Sequence, residues 1–434
     1  IYKRSGADML GMLAYLPDFP EMEGNAYEWP RSATLDFARF YLQRNGTREE
    51  NGLMYGVQGA SYNHNHCNGM AMELYGCGEV MGIDAGTGPH YEHPLHQNYF
   101  SQWAAHNTVV AAGRSSSVPF SGGAGRKNMG QVELAAMEPM SGNEAVSPLY
   151  SFTDTRYLDI STGTQQARTM GIVRTSDSTG YYIDIYRSDN AVSNDYVYHN
   201  IGDTLTFTDY EGNPIRMEAA DYPLTGEDYP GFRYFSDVEK VGNVAKSLKA
   251  TFQARDREGK EIFMHVFLPA SDKTYFKATS PAVKTAGKQY ANRRLPLFTV
   301  RSEKEAWTEP FISIFEPSTR KEGGTIVAVE RVPELCDHEN TVLHVQHADG
   351  SAQFIFQGNH EGATVKGRQF CFSGFFGVIS IGSNGKLHDI YLGEGSHIAF
   401  NNVKVLMKNS PGSAWVKLNE EEGDLDVSID VSGE

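Results

Sequence analysis

Cysteine is scarce in this sequence: Cys67, Cys77, Cys336 and Cys371 are the four in 434 residues, and no two form a CxxC pair. Such scattered thiols exclude a disulfide framework and leave the redox compartment undecided. Long apolar runs are also missing. None approaches the roughly 20 residues that a membrane-spanning helix needs, so no membrane span is expected. Positive charge is in deficit, with 38 Lys and Arg against 54 Asp and Glu for a net charge of −16. Nonspecific nucleic-acid binding depends on clustered cations that displace counterions, so a nucleic-acid partner is not expected. Much of the deficit is local, because residues 410–434 carry seven acidic side chains and only Lys417 as a cation. An HExxH motif is absent, which argues against a zinc hydrolase of that type. No initiator Met precedes the opening IYKRSG. The expectation is a processed or truncated chain that could have lost a targeting segment.

What the sequence does contain is β-forming. Hydrophobic residues make up 40 %, aromatics 12 %, and there are 44 glycines, a composition that favours strands and turns over disorder or a helix-rich fold. The length suits two or three domains. Residues 1–54 read as a helical lead-in. Ser32 is a plausible N-cap, Ala33, Phe37, Phe40 and Tyr41 follow at helical spacing as far as Arg44, and Asp8 to Leu16 suits another short helix. From about residue 55 the pattern turns to short strands such as QVELAAME, GYYIDIYRS, EIFMHVFLP, TVLHVQHA and AQFIFQG, punctuated by Gly, Asn, Asp and Pro. No intervening helices could build parallel βαβ units. The expected fold is mainly β, with stacked antiparallel sheets in a β-supersandwich over 55–370 and a small C-terminal β-unit over 371–434.

Histidine is concentrated. Six of the 14 histidines fall between His64 and His106, within the stretch that begins YNHNHCNGMAMELYGCGEVMGIDAGTG. If residues 62–66 are a strand, His64 and His66 project from one face. GEVMGI ends at Asp84, where Gly86 and Gly88 permit a sharp turn, and AAHNTVV places His106 at the start of a further strand. His66, Asp84 and His106 would then supply two imidazole nitrogens and one carboxylate from adjacent strand ends, a donor set that suits zinc. Any single histidine in a β-protein is ordinarily a hydrogen-bonded core or surface residue, and His90, His93 and His96 need no metal. The clustering is what favours a site.

HNHCNG, GIDAGTG, Tyr91 and AAHNTVV, in that order, resemble the core motifs of heparinase II/III-like polysaccharide lyases. The likeness is specific over residues 62–113 and looser elsewhere. It implies zinc held by His66, Asp84 and His106, with His64 as an active-site histidine and Tyr91 or Tyr99 on a loop that contacts sugar. It also implies an acidic, uronate-containing polysaccharide substrate and a bacterial periplasmic or secreted location. In β-elimination the substrate carboxylate is neutralised, a base removes the C5 proton, and an acid protonates the leaving C4 oxygen. A histidine titrating near neutrality can perform any of these. Zinc would order the strand ends and would not activate water. Lyases of this family carry an N-terminal (α/α) toroid that supplies the rest of the active site, of which this chain has at most the last helices. The alternative is therefore a noncatalytic carbohydrate-binding or scaffold β-domain with structural zinc.

Two weaker motifs point elsewhere. Asn45-Gly46-Thr47 is a glycosylation sequon of a kind that arises often by chance. Glu420 to Asp426 lacks the alternating ligand pattern of a calcium loop and reads as a solvated turn.

Overall fold

The computed structural model describes residues 30–47, 51–59, 66–86, 88–90, 92–114, 131–224, 231–242, 246–409, 411–418 and 428–431. The chain divides into two compact units, Ile1–Pro30 and Arg31–Glu434, and every described strand belongs to the second. The expected helix at Asp8 to Leu16 and the acidic stretch from Glu420 to Asp426 lie outside the described residues.

Four sheets make up this second unit. A five-stranded meander runs from Ser32–Leu35 to Glu79–Gly82, an eight-stranded and a six-stranded sheet follow, and a nine-stranded sheet spans Ile326–Arg331 to Ser428–Val431. Pairing is antiparallel throughout, apart from Val403–Met407 beside Ser428–Val431. The stacked antiparallel β-architecture expected from the sequence is the one found.

The eight-stranded sheet is the central wall. Its strand Gly180–Ser188, GYYIDIYRS, is buried at every position. Side chains alternate across a strand. Tyr182 and Tyr186 accordingly enter one core with Tyr41, Tyr55 and Tyr198, while Tyr181, Ile183 and Ile185 enter a second with Leu343, Ile355 and Val378 of the nine-stranded sheet. Burial on both faces explains why this segment shows no polar alternation. Arg187, on the second face, donates to Thr341 Oγ1 at 2.7 Å and to Gln357 Oε1 at 3.0 Å, which ties the wall to the C-terminal sheet.

Two readings of the sequence are corrected. The segment expected to be a helix from Ser32 to Arg44 is a β-hairpin, Ser32–Leu35 and Phe40–Asn45 joined by the short 3₁₀ turn Asp36–Ala38. Spacing of Ala33, Phe37, Phe40 and Tyr41 imitates a helical stripe. In fact Phe37 is 73 % exposed at the turn, and Arg39 adopts the left-handed conformation that closes it. Burial in the second strand follows period two, carried by Tyr41, Gln43 and Asn45. The last two are polar, which hides the strand from an apolar pattern; Gln43 donates to carbonyl oxygens of Glu138, Pro139 and Phe152. Asn45 is buried too, donating to Pro148 O at 2.9 Å, so the sequon amide is engaged in the core.

The second correction concerns the C-terminal unit expected to begin at 371. That residue lies inside the strand Phe370–Ile381, which pairs with Ala352–Gly358 in a sheet that already begins at Ile326. Gly358, Gly374 and Gly395 allow the close strand crossings here: Gly374 has φ +155°, and a Cβ on Gly358 would run into the Gly374 carbonyl. Gly358→Ala is therefore expected to destabilise the protein by about 1–3 kcal/mol, read as a lower urea midpoint with an unchanged slope. An unchanged midpoint would show that the crossing relaxes freely.

Candidate active site

The site is built where the loop before Ala71–Gly76, the end of Glu79–Gly82 and the start of Val109–Ala111 meet. Each residue of His106-Asn107-Thr108 has a separate attachment. His106 is wholly buried, and its Nδ1 lies 2.9 and 3.0 Å from the two Asp84 oxygens. A carboxylate only accepts, so His106 carries its proton on Nδ1 and turns the Nε2 lone pair away. Among the described residues that buried Nε2 has no hydrogen-bond partner. Asn107 donates through Nδ2 to Met72 O and Ile83 O, which fixes its amide orientation and leaves Oδ1 to accept from His199. Thr108 Oγ1 donates to Gly69 O at 2.7 Å. The motif thus bolts together the segments that converge on the site.

Asp84 is also tightly held. Gln58 Nε2 donates to Oδ2 at 2.7 Å, Asn107 N donates to Oδ1, and the Asp84 N–H goes to Glu73 Oε1. Burial, followed by the Asp84 charge, pushes the Glu73 carboxyl up to about 7, because a second buried anion beside the first is unfavourable.

Of the histidines, His66 lies with its ring centroid 5.3 Å from those of both His106 and His96. His66, Asp84 and His106 are therefore neighbours, as expected. Two nitrogen donors and one carboxylate match zinc's donor preference. Their present arrangement spends the carboxylate on His106 Nδ1, and among the described residues no group of three or more His, Cys, Asp and Glu side chains is arranged to hold a metal ion. Zinc, if bound, would be held by imidazole nitrogens of His66 and His106 and a carboxylate oxygen of Asp84, and would supply a fixed positive charge.

His64 and Tyr91 lie outside the described residues. Tyr99 is 1 % exposed, in the π-helical turn His96–Phe100. Expected on a sugar-contacting loop, its hydroxyl is instead 3.1 Å from His199 Nε2. Asn107 Oδ1 claims the Nδ1 proton of His199, so Tyr99 donates to Nε2. Burial raises the Tyr99 phenol well above its ordinary range, which opposes formation of a tyrosinate here.

Two members of this constellation were not legible as site residues. His199 is buried, and desolvation, reinforced by His106, lowers it to about 3. Its sequence context, YVYHN, is that of an ordinary strand. His96 accepts from Gly88 N at 3.2 Å. A Cβ on Gly88 would crowd His96, so the glycine after GIDAGT was the available signal for their contact.

Behind the site, Arg168 and Asp184 are both fully buried and form a bidentate pair with Nε–Oδ1 2.9 Å and Nη2–Oδ2 2.6 Å. Register explains the contact: Arg168 lies opposite Tyr186, with Asp184 two residues along on the same face. Arg168 Nη1 extends to Met70 O and Asn107 O, and Tyr196 OH donates to Asp184 Oδ2 at 2.6 Å.

The site is thus a strand-end carboxylate on a buried histidine in front of a β-sheet wall, inside a segment that a family model matches. Residues 54–170 match the family model described as heparinase II/III-like, C-terminal, and residues 326–418 match the one described as the endo-acting ulvan lyase C-terminal domain. Over these residues the chain is similar to the heparinase II/III-like C-terminal domain and to the ulvan lyase C-terminal domain. An endo-acting ulvan lyase of Formosa agariphila is 32 % identical over 392 residues, covering 85 % of this chain and 47 % of the relative; the chain thus spans about half of that relative's length. Among solved structures, heparinase III matches at 12 % identity with a TM-score of 0.47, over 75 % of this chain and 42 % of that one. A heparan sulfate lyase from Pedobacter heparinus matches at 13 % identity and 0.47, over 78 % and 44 %.

Two outcomes are expected. Arg168→Leu should cost about 3–5 kcal/mol, since it leaves Asp184 buried without its partner; chemical denaturation measures this, and a loss below about 1 kcal/mol would show that the pair is dispensable. The buried histidines should contribute a loss of stability as pH falls from about 6.5 to 4, opposed by Glu73, which is raised to about 7 and gains stability in the same window, so the wild type should lose more stability over that range than a His265→Gln variant. His199 and His265, the latter lowered to about 4 chiefly by burial, stay neutral in the folded state over that window, while the unfolded chain binds protons. Each contributes a slope of up to about 1.4 kcal/mol per pH unit. Equal pH dependence of wild type and His265→Gln in denaturant titrations from pH 6.5 to 4 would contradict this assignment.

Proposed function

We propose that the protein to which this chain belongs is a polysaccharide lyase that cleaves an acidic, uronate-containing glycan by β-elimination. The observation that carries this reading is the Asp84–His106 pair with His66 beside it, in a segment that matches the heparinase II/III-like family. The Formosa agariphila relative is named an endo-acting ulvan lyase, which makes ulvan the first substrate to test. A noncatalytic scaffold is the less favoured reading, as the likeness to that lyase extends over 85 % of the chain.

In this proposal His64 moves a proton at C5 or at the leaving oxygen, with Tyr91 as a second candidate acid. Tyr99 serves as a donor to His199 Nε2, the tautomer being set by Asn107. Zinc would be held by His66, Asp84 and His106 and would supply a fixed charge that orders the strand ends. Because the chain spans 47 % of its relative, we place the remaining carboxylate-neutralising groups in the helical toroid that the family resemblance implies. Acidic structural polysaccharides lie outside cells, so a periplasmic or secreted location goes with the proposal.

Protein purified without chelator should contain about one zinc per chain, and Asp84→Ala should lose both metal and thermal stability. Less than about a tenth of an equivalent, with no thermal shift on adding EDTA, would reject the metal site. In a protein that includes the toroid, His64→Ala should keep its zinc while turnover falls about a hundredfold or more, followed by ultraviolet absorbance of the unsaturated uronate product. Full turnover would remove His64 from the chemistry.

A further inference from the structure

A cleft of about 520 Å³ opens between the tip of the Ala71–Gly76/Glu79–Gly82 hairpin, the turn that follows Leu248–Arg255, and the short helix Gly287–Tyr290. Its size falls within the usual range for a small-ligand site. Tyr290 OH accepts from Arg255 N at 2.8 Å, Gln289 Nε2 donates to Asp256 O at 2.5 Å, and Glu79 accepts from the backbone and side chain of Arg257 at 3.2 and 3.3 Å. The three walls are therefore held in place before any ligand arrives.

The lining combines two chemistries. Val80, Ile201, Ala286 and Tyr290 provide apolar surface, of which Val80 is 38 % exposed. Arg255, Arg257 and Lys288 provide three cations, of which Arg257 pairs with Glu79, and Arg255 lies 3.4 Å from Glu261 and 3.8 Å from Asp203. Arg257 is 83 % exposed although paired with Glu79, and Lys288 is exposed. In a chain of net charge −16, Lys288, which makes no ion pair among the described residues, and the exposed guanidinium of Arg257 favour an anionic ligand in this cleft. Guanidinium groups suit planar carboxylates and sulfates, and apolar walls suit the C–H faces of sugar rings.

The cleft adjoins the candidate site. Its strand Glu79–Gly82 leads directly to Asp84, about 13 Å from Val80 at the usual strand rise. From the cleft's other side, Lys284 Nζ donates to Pro89 O at 3.1 Å, and Thr285 lies in ordinary contact distance of a Cβ built on Gly86. Gly86 and Pro89, both after Asp84, therefore border the cleft's side of the candidate site.

From these features we propose that the cleft is a glycan subsite, remote from the reacting bond, that binds an anionic sugar residue of the polysaccharide through Arg257, Lys288 and Arg255. This inference deepens the lyase reading and rests on it for the class of ligand.

Binding and cleavage are to be measured separately. A sulfated, uronate-containing ulvan oligosaccharide is titrated calorimetrically into the 434-residue chain and into Arg257→Ala/Lys288→Ala, with a neutral oligosaccharide of similar length as the control. The double variant should bind about five- to tenfold more weakly, melt like the wild type, and show a smaller salt dependence, while the neutral sugar binds neither. Lys288→Glu alone should weaken binding as well, which guards against a folding defect in the double variant. Equal affinity in wild type and variants, or no binding by the wild type, would overturn the subsite. Binding that is lost in the variants, with no unsaturated product from the toroid-containing protein, would support the subsite and reject the lyase reading.

Discussion

The buried Arg168–Asp184 pair is the constraint on which the site depends. Two opposite charges without solvent are costly to assemble, and they persist because nearly every polar atom has a partner: Asp184 takes Arg168 and Tyr196, and Arg168 gives its remaining donors to Met70 and Asn107. Those two carbonyls belong to the segments that carry His66 and His106. A hydrophobic pair of similar volume could fill the space in the wall, but it could not grip two backbone carbonyls. The ion pair therefore specifies position more than it adds stability, and it sets where the histidines stand relative to the central sheet.

The same logic recurs elsewhere in the molecule. Arg301 and Asp195 form a second buried bidentate pair at 2.8 and 2.9 Å, with Tyr222 OH donating to the carboxylate at 2.6 Å. Glu316, buried in the wall, accepts from Gly324 N, Thr325 N and Ile326 N and so fixes the entry into the C-terminal sheet. Polar groups in these cores act as registration points between sheets whose apolar faces alone would tolerate sliding.

Strand content was legible because β-rich runs bounded by turn residues announce themselves, and segments such as TVLHVQHA and AQFIFQG became the strands expected. The hairpin at Ser32–Asn45 was not, since its inward residues include Gln43 and Asn45, whose burial depends on carbonyls about a hundred positions away. At the site, His66, Asp84 and His106 were legible as a group through spacing and motif order. Their detailed relation was hidden: no spacing rule tells that Asp84 accepts from His106 Nδ1, or that Asn107 organises His199. Those facts come from pairing between strands remote in sequence, such as Asp195 opposite Val110.

The two-faced burial of Gly180–Ser188 bears on how this protein can be divided. Tyr181, Ile183 and Ile185 share a core with Leu343, Ile355 and Val378, while the alternate residues of the same strand back the histidine site. Removing the C-terminal sheet would strip one side of the wall and expose a broad apolar surface. The C-terminal region is thus no detachable accessory: in evolution it could be exchanged only for another sheet that fits the same face, and any recombination joint placed between the two would have to preserve that fit.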